Sequence, residues 1–186
     1  MRRLSSIDEI LALFDAFGDD NYDEELSQRD HALQTAALAV ADGADDALVA
    51  AALLHDIGHL LDLEDGGTAA APISTLHEAT GAGALADLFD ERVTVPIALH
   101  VAAKRYLTAI EPDLVARLSN GSRASLARQG GPMSTEELRR FEGQPGSSTA
   151  CALRRWDDAG KIEDLDVAPL SSYVPLLRRT ARSDQS

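Results

Sequence analysis

Apolar residues along this chain recur three or four apart, and no stretch shows the alternation of β-branched residues that marks a strand. The capping box Ser6-x-x-Glu9 opens a first amphipathic helix through Ile7, Ile10, Leu11, Leu13, Phe14 and Phe17, closed at Gly18. An acidic segment, Asp19 to Glu25, reads as a surface loop. A second helix runs from about Ser27 to Asp42, with Leu33, Ala36, Ala37 and Val40 on one side and Gly43 as its stop. After Asp45 a third begins, rich in alanine at 50–52 so that neighbours can approach closely, and it is expected to carry His55, Asp56 and His59. Residues 62–72, with Gly66, Gly67 and Pro72, read as a loop or lid, and Thr75-x-x-Glu78 starts a helix to Leu88. From Asp90 to Leu107, Val93, Ile97 and Val101 keep helical spacing, and Pro96 should kink or break that helix.

Beyond Glu111-Pro112 the pattern predicts a short helix, then one over Ser122 to Gln129 ended by Gly130-Gly131-Pro132. Ser134-x-x-Glu137 caps the next, Gln144 to Ser148 is a connection, and helices over Thr149 to Asp158 and about Ser171 to Arg182 complete the chain. With no repeat and no low-complexity segment, the fold class is all-α. At 186 residues and 45% hydrophobic the chain suits one domain over 1–186, with a polar tail from about 183.

Seventeen basic against 31 acidic residues leave a net charge of −14, which opposes nucleic acid or an anionic membrane as the main partner. An anionic substrate must then meet a local basic cluster. One cysteine, Cys151, excludes an internal disulfide and a cysteine-rich zinc site and fits a reducing cytoplasm. Arg2 and Arg3 are followed by Asp8 and Glu9 rather than an apolar run, so no signal peptide is read, and no stretch approaches the roughly 20 apolar residues of a spanning helix.

The chemistry concentrates in histidine. Only five occur, and His31, His55, His77 and His100 stand 24, 22 and 23 residues apart, each interval about one helix and its connection. Successive helices can each present one imidazole to a common centre. On a helix His55 and His59 share a face, with Asp56 about 100° round from His55. Four imidazoles and two aspartates suffice for two metal ions held by a bridging carboxylate, and Asp56 is the natural bridge. A second acid far downstream is Asp157 or Asp158, between which spacing does not choose. Ligand type alone does not separate iron from manganese, cobalt, nickel or zinc.

His31, the pair His55-Asp56 and a distant aspartate resemble the metal-binding signature of the HD-domain superfamily. Further blocks narrow the likeness: Tyr22-x-Glu24, Gln28-x-x-His31-Ala32-Leu33-Gln34, His55-Asp56-Ile57-Gly58-His59, His77-Glu78, His100 to Leu107 with Lys104, Gln129-Gly130-Gly131-Pro132-Met133, and Arg154-Arg155-Trp156-Asp157. Together they resemble the HD-domain mixed-valence diiron oxygenases that cleave organophosphonates, over about residues 22–161. The HD pair alone is unspecific; the Lys104 and Gln129 blocks are specific to that branch.

The resemblance implies two irons, Fe2+ and Fe3+, held by His31, His55, Asp56, His77, His100 and Asp157, with Asp56 bridging. It implies that His59, Lys104 and Arg154 receive the phosphonate, with Gln129 also at the substrate. Tyr22 would occupy the open iron position until substrate displaces it, and Glu24 would recognise a cationic nitrogen. The implied reaction uses O2 to convert a 1-hydroxyalkylphosphonate to a carboxylate and phosphate: 2-amino-1-hydroxyethylphosphonate to glycine, which is slightly preferred here, or its N-trimethyl analogue to glycine betaine. A 2-oxoglutarate-dependent hydroxylase would supply such a substrate. Two other classes are weighed. A metal-dependent phosphohydrolase of the superfamily is opposed by the Lys104 and Gln129 blocks and the six-ligand set, and a non-catalytic ligand-binding HD domain by the completeness of that set. For Lys104 and Arg154 the residues alone favour surface salt bridges, in a chain with many acids to pair with.

Overall fold

The computed structural model describes residues 2–23, 26–67 and 76–182. Glu24, the side chain of Tyr22, residues 68–72 of the expected lid with Thr75, and the tail from 183 lie outside the described residues. Helix α1 (Ile7–Phe17) has both halves of its capping box, with Glu9 reaching back to the Ser6 backbone. A minimal antiparallel hairpin, β1 (Asn21–Asp23) and β2 (Leu26–Ser27), follows where a loop was expected. It is too short for periodicity to register and leaves the all-α class unchanged.

Helices α2 (Gln28–Ala41), α3 (Asp46–Leu54), α6 (Glu91–Ile110) and α10 (Ser147–Ala159) pack against one another and frame the centre of the molecule. Helices α4 (Ile57–Glu64) and α5 (His77–Leu85) close one side, α5 against both α4 and α6. The end of the chain, α11 (Val174–Thr180), seals α3, while α7 (Leu114–Arg117), α8 (Asn120–Arg128) and α9 (Thr135–Glu142) flank α6. Leucine and alanine dominate the core. Ala50, Ala51 and Ala52 are fully buried, so α3 lies close to its neighbours, as their small side chains allow. No described helix is long and apolar enough to cross a membrane.

Four expectations about elements need correction. The His-Asp pair does not ride within a helix: α3 ends at Leu54, His55 and Asp56 form a turn, and α4 begins at Ile57. Asp56 has φ −103° and ψ 15°, the sparse region between helix and strand. Residues 62–64 continue α4 instead of starting a loop. Helix α6 runs unbroken through Pro96, its sixth residue, where the ring removes one hydrogen bond from a long ladder without ending it. Val40 is 53% exposed; the buried face of α2 is instead His31, Ala32, Leu33, Gln34, Thr35, Ala36 and Ala39.

The close approach of α5 to the turn depends on two glycines. A Cβ on Gly58 would sit 2.1 Å from the His77 carbonyl oxygen, and one on Gly81 would sit 3.1 Å from the Gly58 nitrogen. Gly58 therefore sets how near His77 comes to Asp56. Gly58→Ala should destabilise the fold by about 1–3 kcal/mol through overpacking against rigid backbone, lowering Tm by roughly 2–4 °C per kcal/mol for a chain of this size. Gly43→Ala, where φ is +73° and nothing lies within 4 Å, should lose only about 1 kcal/mol. Thermal melts of the two variants test the contrast.

Candidate metal centre

Four helices and the turn between two others bring polar residues to the interior. His31 comes from the first turn of α2, His55 and Asp56 from the α3–α4 turn, His77 from the start of α5, His100 from mid-α6 and Asp157 from the last turns of α10. All six are buried, with His31 and His55 fully so. The bend at 55–56 aims two successive side chains into one space, which neighbours about 100° apart on a helix do less well.

Within that space the groups divide into two sets about Asp56. Its Oδ2 lies 3.3 Å from His55 Nε2 and 3.8 Å from His31 Nε2, and Asp157 Oδ1 lies 3.3 Å from His31 Nε2. Its Oδ1 lies 3.4 Å from His77 Nε2, 3.6 Å from His100 Nε2 and 3.8 Å from His59 Nε2. His31, His55 and Asp157 form one candidate metal site and Asp56, His59 and His77 another. The two carboxylate oxygens of Asp56 thus face opposite sets, the placement a bridging ligand needs.

Hydrogen bonding on the outer side of the rings bears on whether metal fits. Nδ1 of His31, His55 and His100 lies 2.8 Å from the carbonyls of Gly160, Ala52 and Ile97 respectively. A carbonyl can only accept, so each Nδ1 carries the proton and each neutral ring turns a lone pair inward at Nε2. His77 Nδ1 faces Glu78 at 3.5 Å. The inward nitrogens of His31 and His55 meet at 3.2 Å, and those of His77 and His100 at 3.1 Å. For His31 and His55, whose outer nitrogens both carry the proton, facing lone pairs at 3.2 Å need a cation between them. A metal ion, unlike a proton, satisfies two rings and the carboxylates together. Asp157 Oδ1 is also buried with no hydrogen-bond partner among the described residues, as expected of an atom reserved for a metal. The donor set therefore fits two borderline ions with nitrogen and oxygen ligands.

Electrostatics agree. Burial pushes the Asp56 carboxyl up, but the histidines around it outweigh that and hold it well below the usual range. Burial pushes His55 down, yet Asp56 outweighs it and leaves the ring raised, the response of a group beside a place built for positive charge. Burial likewise opposes ionisation of Asp157, and Arg154 and Lys161 overcome it.

A cationic wall stands on the Asp157 side. Arg154, 3% exposed, donates from Nη1 to Asp157 Oδ2 at 2.7 Å. Its Nε and Nη2 clamp the two oxygens of Asp158. The neighbouring acids therefore part: Asp157 faces the histidines and Asp158 holds the arginine, so Asp158 is not a bystander. Lys104, also 3% exposed, donates to Ser125 Oγ at 2.7 Å, and burial, with Arg154 nearby, lowers its pKa to about 7. Both side chains are buried in the interior, unlike the surface pairs that the residues alone favoured.

Lys161, Ser122 and Ser125 escaped the sequence reading. Lys161 Nζ lies 3.5 Å from Asp157 Oδ1 and donates to Ser122 Oγ at 3.0 Å, and Arg154 Nη2 reaches the same hydroxyl at 3.5 Å. Ser122, Ser125 and Gln129 are three to four apart on α8 and its C-cap, one face of a helix, and Gln129 Oε1 is buried without a partner among the described residues. That spacing, and the four residues from Asp157 to Lys161, were the available signals. His59 stacks on His77 at 4.1 Å, on the other side of Asp56, and burial takes its pKa down to about 4.

With this geometry in view, comparison with known proteins is informative. The HD domain family model matches residues 29–139. The chain belongs to the HD-domain family. Hydroxymethylphosphonate dioxygenase of Gimesia maris is 42% identical over 168 residues, covering 90% of this chain and 84% of that protein. The glycine-betaine-forming [1-hydroxy-2-(trimethylamino)ethyl]phosphonate dioxygenase of Leisingera caerulea is 36% identical, covering 96% of this chain and 92% of that protein. An uncharacterised protein of Acanthamoeba polyphaga mimivirus is 32% identical over 94% of this chain and 81% of its own length.

Metal content by mass spectrometry should separate the residues. Asp56→Ala is expected to lose both ions, because one carboxylate serves both sets. His77→Ala and Asp157→Ala should each lose one. His59→Ala should keep both, with His100 completing its set; loss of an ion there would make His59 a ligand.

Proposed function

We propose that the chain is a diiron oxygenase that uses O2 to cleave the carbon-phosphorus bond of a 1-hydroxyalkylphosphonate, releasing a carboxylate, phosphate and a proton. The observation that carries this reading is the buried cationic wall of Lys104, Arg154 and Lys161, joined through Asp157 to a centre in which Asp56 lies between two sets of histidines. The named relatives, dioxygenases of hydroxyphosphonates, support it. His31, His55 and Asp157 would hold one iron and His77 and His100 the other, with Asp56 shared. When bound, a mixed-valence pair would supply the dioxygen chemistry, with O2 as the oxidant of the substrate.

The chain's own residues bind, orient and shield. A phosphonate is a compact anion that exchanges its hydration for charged donors, and each such bond is worth about 1.5–3 kcal/mol. Arg154 is already locked by Asp157 and Asp158, so it offers fixed charge. Lys104, about half charged at pH 7, can respond to the ligand. His59, beside Asp56 and His77, adds a third direction of approach. Gln129, with a buried oxygen that has no partner among the described residues, can accept from a substrate hydroxyl or amine. Tyr22 and Glu24 keep the roles that the resemblance implies: the tyrosine guards the open metal position and the glutamate meets a cationic nitrogen. The relatives' substrates include one without such a nitrogen and one with it. Cytoplasmic location and supply of substrate by a 2-oxoglutarate-dependent hydroxylase complete the proposal.

Purified protein should carry close to two irons and, when partly reduced, give the coupled electron paramagnetic resonance signal of a mixed-valence pair. It should release phosphate from a 1-hydroxyphosphonate only in the presence of O2. Zinc or magnesium in place of iron, with turnover of phosphate monoesters, would show a hydrolase instead. Glu24→Ala should lose roughly 1–3 kcal/mol in kcat/KM on the amino and trimethylammonium substrates and little on hydroxymethylphosphonate.

Lys104 adds a prediction in pH. Its lowered pKa means that it is charged below about pH 7 and neutral above. Phosphonate binding favours the charged form, so affinity contributed by this residue weakens as pH rises past 7, and binding at pH 8 takes up a proton there. Anaerobic calorimetry at pH 8 in two buffers of different ionisation enthalpy should show nearly one proton less taken up by Lys104→Met than by wild type. An equal uptake would place the titration elsewhere.

A further inference from the structure

Ten residues between α10 and the next helical turn, Gly160 to Pro169, carry no regular secondary structure. This strap begins pressed against α2. A Cβ on Gly160 would meet Thr35 Oγ1 at 2.9 Å and the Thr35 nitrogen at 3.0 Å, and the Gly160 carbonyl binds His31 Nδ1. Two residues on, the strap is gripped again. Gln34, 1% exposed, accepts from the Ile162 N–H through Oε1 at 2.9 Å and donates from Nε2 to the Ile162 carbonyl at 2.7 Å. The Ile162 side chain meanwhile is 52% exposed. A buried glutamine is thus spent wholly on the backbone of a surface residue.

A primary amide offers a donor and an acceptor side by side, which matches the N–H and C=O of one peptide residue, and glutamine has the length to reach it. Leucine or methionine would fill the space and release both bonds. His31 and Gln34 lie three apart on one face of α2, so the helix holds the strap at both ends of a three-residue segment. Lys161 is the residue between. Its side chain turns inward to Asp157 and Ser122.

We propose that Gln34 is a positioning residue: by clamping Ile162 it keeps Lys161 at Asp157 and so sets the affinity for the phosphonate group. This rests on the phosphonate reading of the cationic wall. Both polar atoms of the Gln34 side chain are spent on Ile162, and no charge on it titrates.

The experiment measures anaerobic binding of hydroxymethylphosphonate to metal-loaded protein, with metal content determined in parallel. It compares wild type, Gln34→Leu, Lys161→Met and the double variant. Gln34→Leu should weaken binding about tenfold, the scale of one lost charge-assisted bond, and keep its metal. Placed on Lys161→Met, the same change should weaken binding less than twofold further, since the residue that it positions is gone. A tenfold loss in both backgrounds, or none in the first, would overturn the proposal. Should the leucine variant fail to fold, Gln34→Met, closer in length and shape, serves in the same cycle. Wild-type protein that bound no phosphonate, or Lys161→Met that bound it undiminished, would overturn the phosphonate reading and the proposal with it.

Discussion

Everything in the interior answers to one carboxylate. Asp56 is 9% exposed and lies within 4 Å of the inward nitrogens of all five histidines. A lone carboxylate so placed would be prohibitively unfavourable. Surrounded by imidazoles, three of which have their outer nitrogens tied to carbonyls, it becomes the anionic hub of a receptor for positive charge. The helix break at 55–56, the missing side chain at Gly58 and the small Gly81 are the geometric conditions for that hub, because each lets a further element come within reach of the same two oxygens.

The second constraint is a reversal of charge over a short distance. The chain carries −14 overall, which at long range repels an anion. Around Asp157, however, Arg154, Lys104 and Lys161 gather where water is largely excluded, and interactions between charges there are far stronger than at the surface. The acids answer in pairs: Asp157 balances the cations on the side of the histidines, and Asp158 locks Arg154 from behind. An anion held there would be captured locally, by a few desolvated groups against the field of the whole molecule.

The two arrangements are joined through α2 and α10. His31 and Gln34 project from one face of α2, and the turn after Asp157 passes directly beneath them, so Gly160 and Ile162 are held by the same helix that supplies an imidazole to the centre. Trp156 adds a hydrogen bond from its indole to Asp42 at the far end of α2. Displacing this seam would disturb ligand orientation and the cationic wall together.

Much of this was legible in the linear order of residues, because caps and periodicity are local properties. Ser6-x-x-Glu9 and Ser134-x-x-Glu137 announce helix starts that the backbone then makes, and the even spacing of four histidines announces convergence of successive helices. The HD-domain likeness was legible for a related reason: its blocks keep fixed offsets along helices. What only the tertiary structure decided depends on contacts between distant segments. Spacing could not choose Asp157 over Asp158, since adjacent residues on a helix differ only in what lies across from them. Nor could it reveal the turn at His55-Asp56, where alanine and leucine favour continued helix until packing of α5 on Gly58 demands a bend. The parts played by Lys161, Ser122 and Gln34 went unread because single polar residues are common along any chain. Their meaning arises where α2, α8 and the strap after α10 meet, and burial there turns ordinary side chains into specific partners.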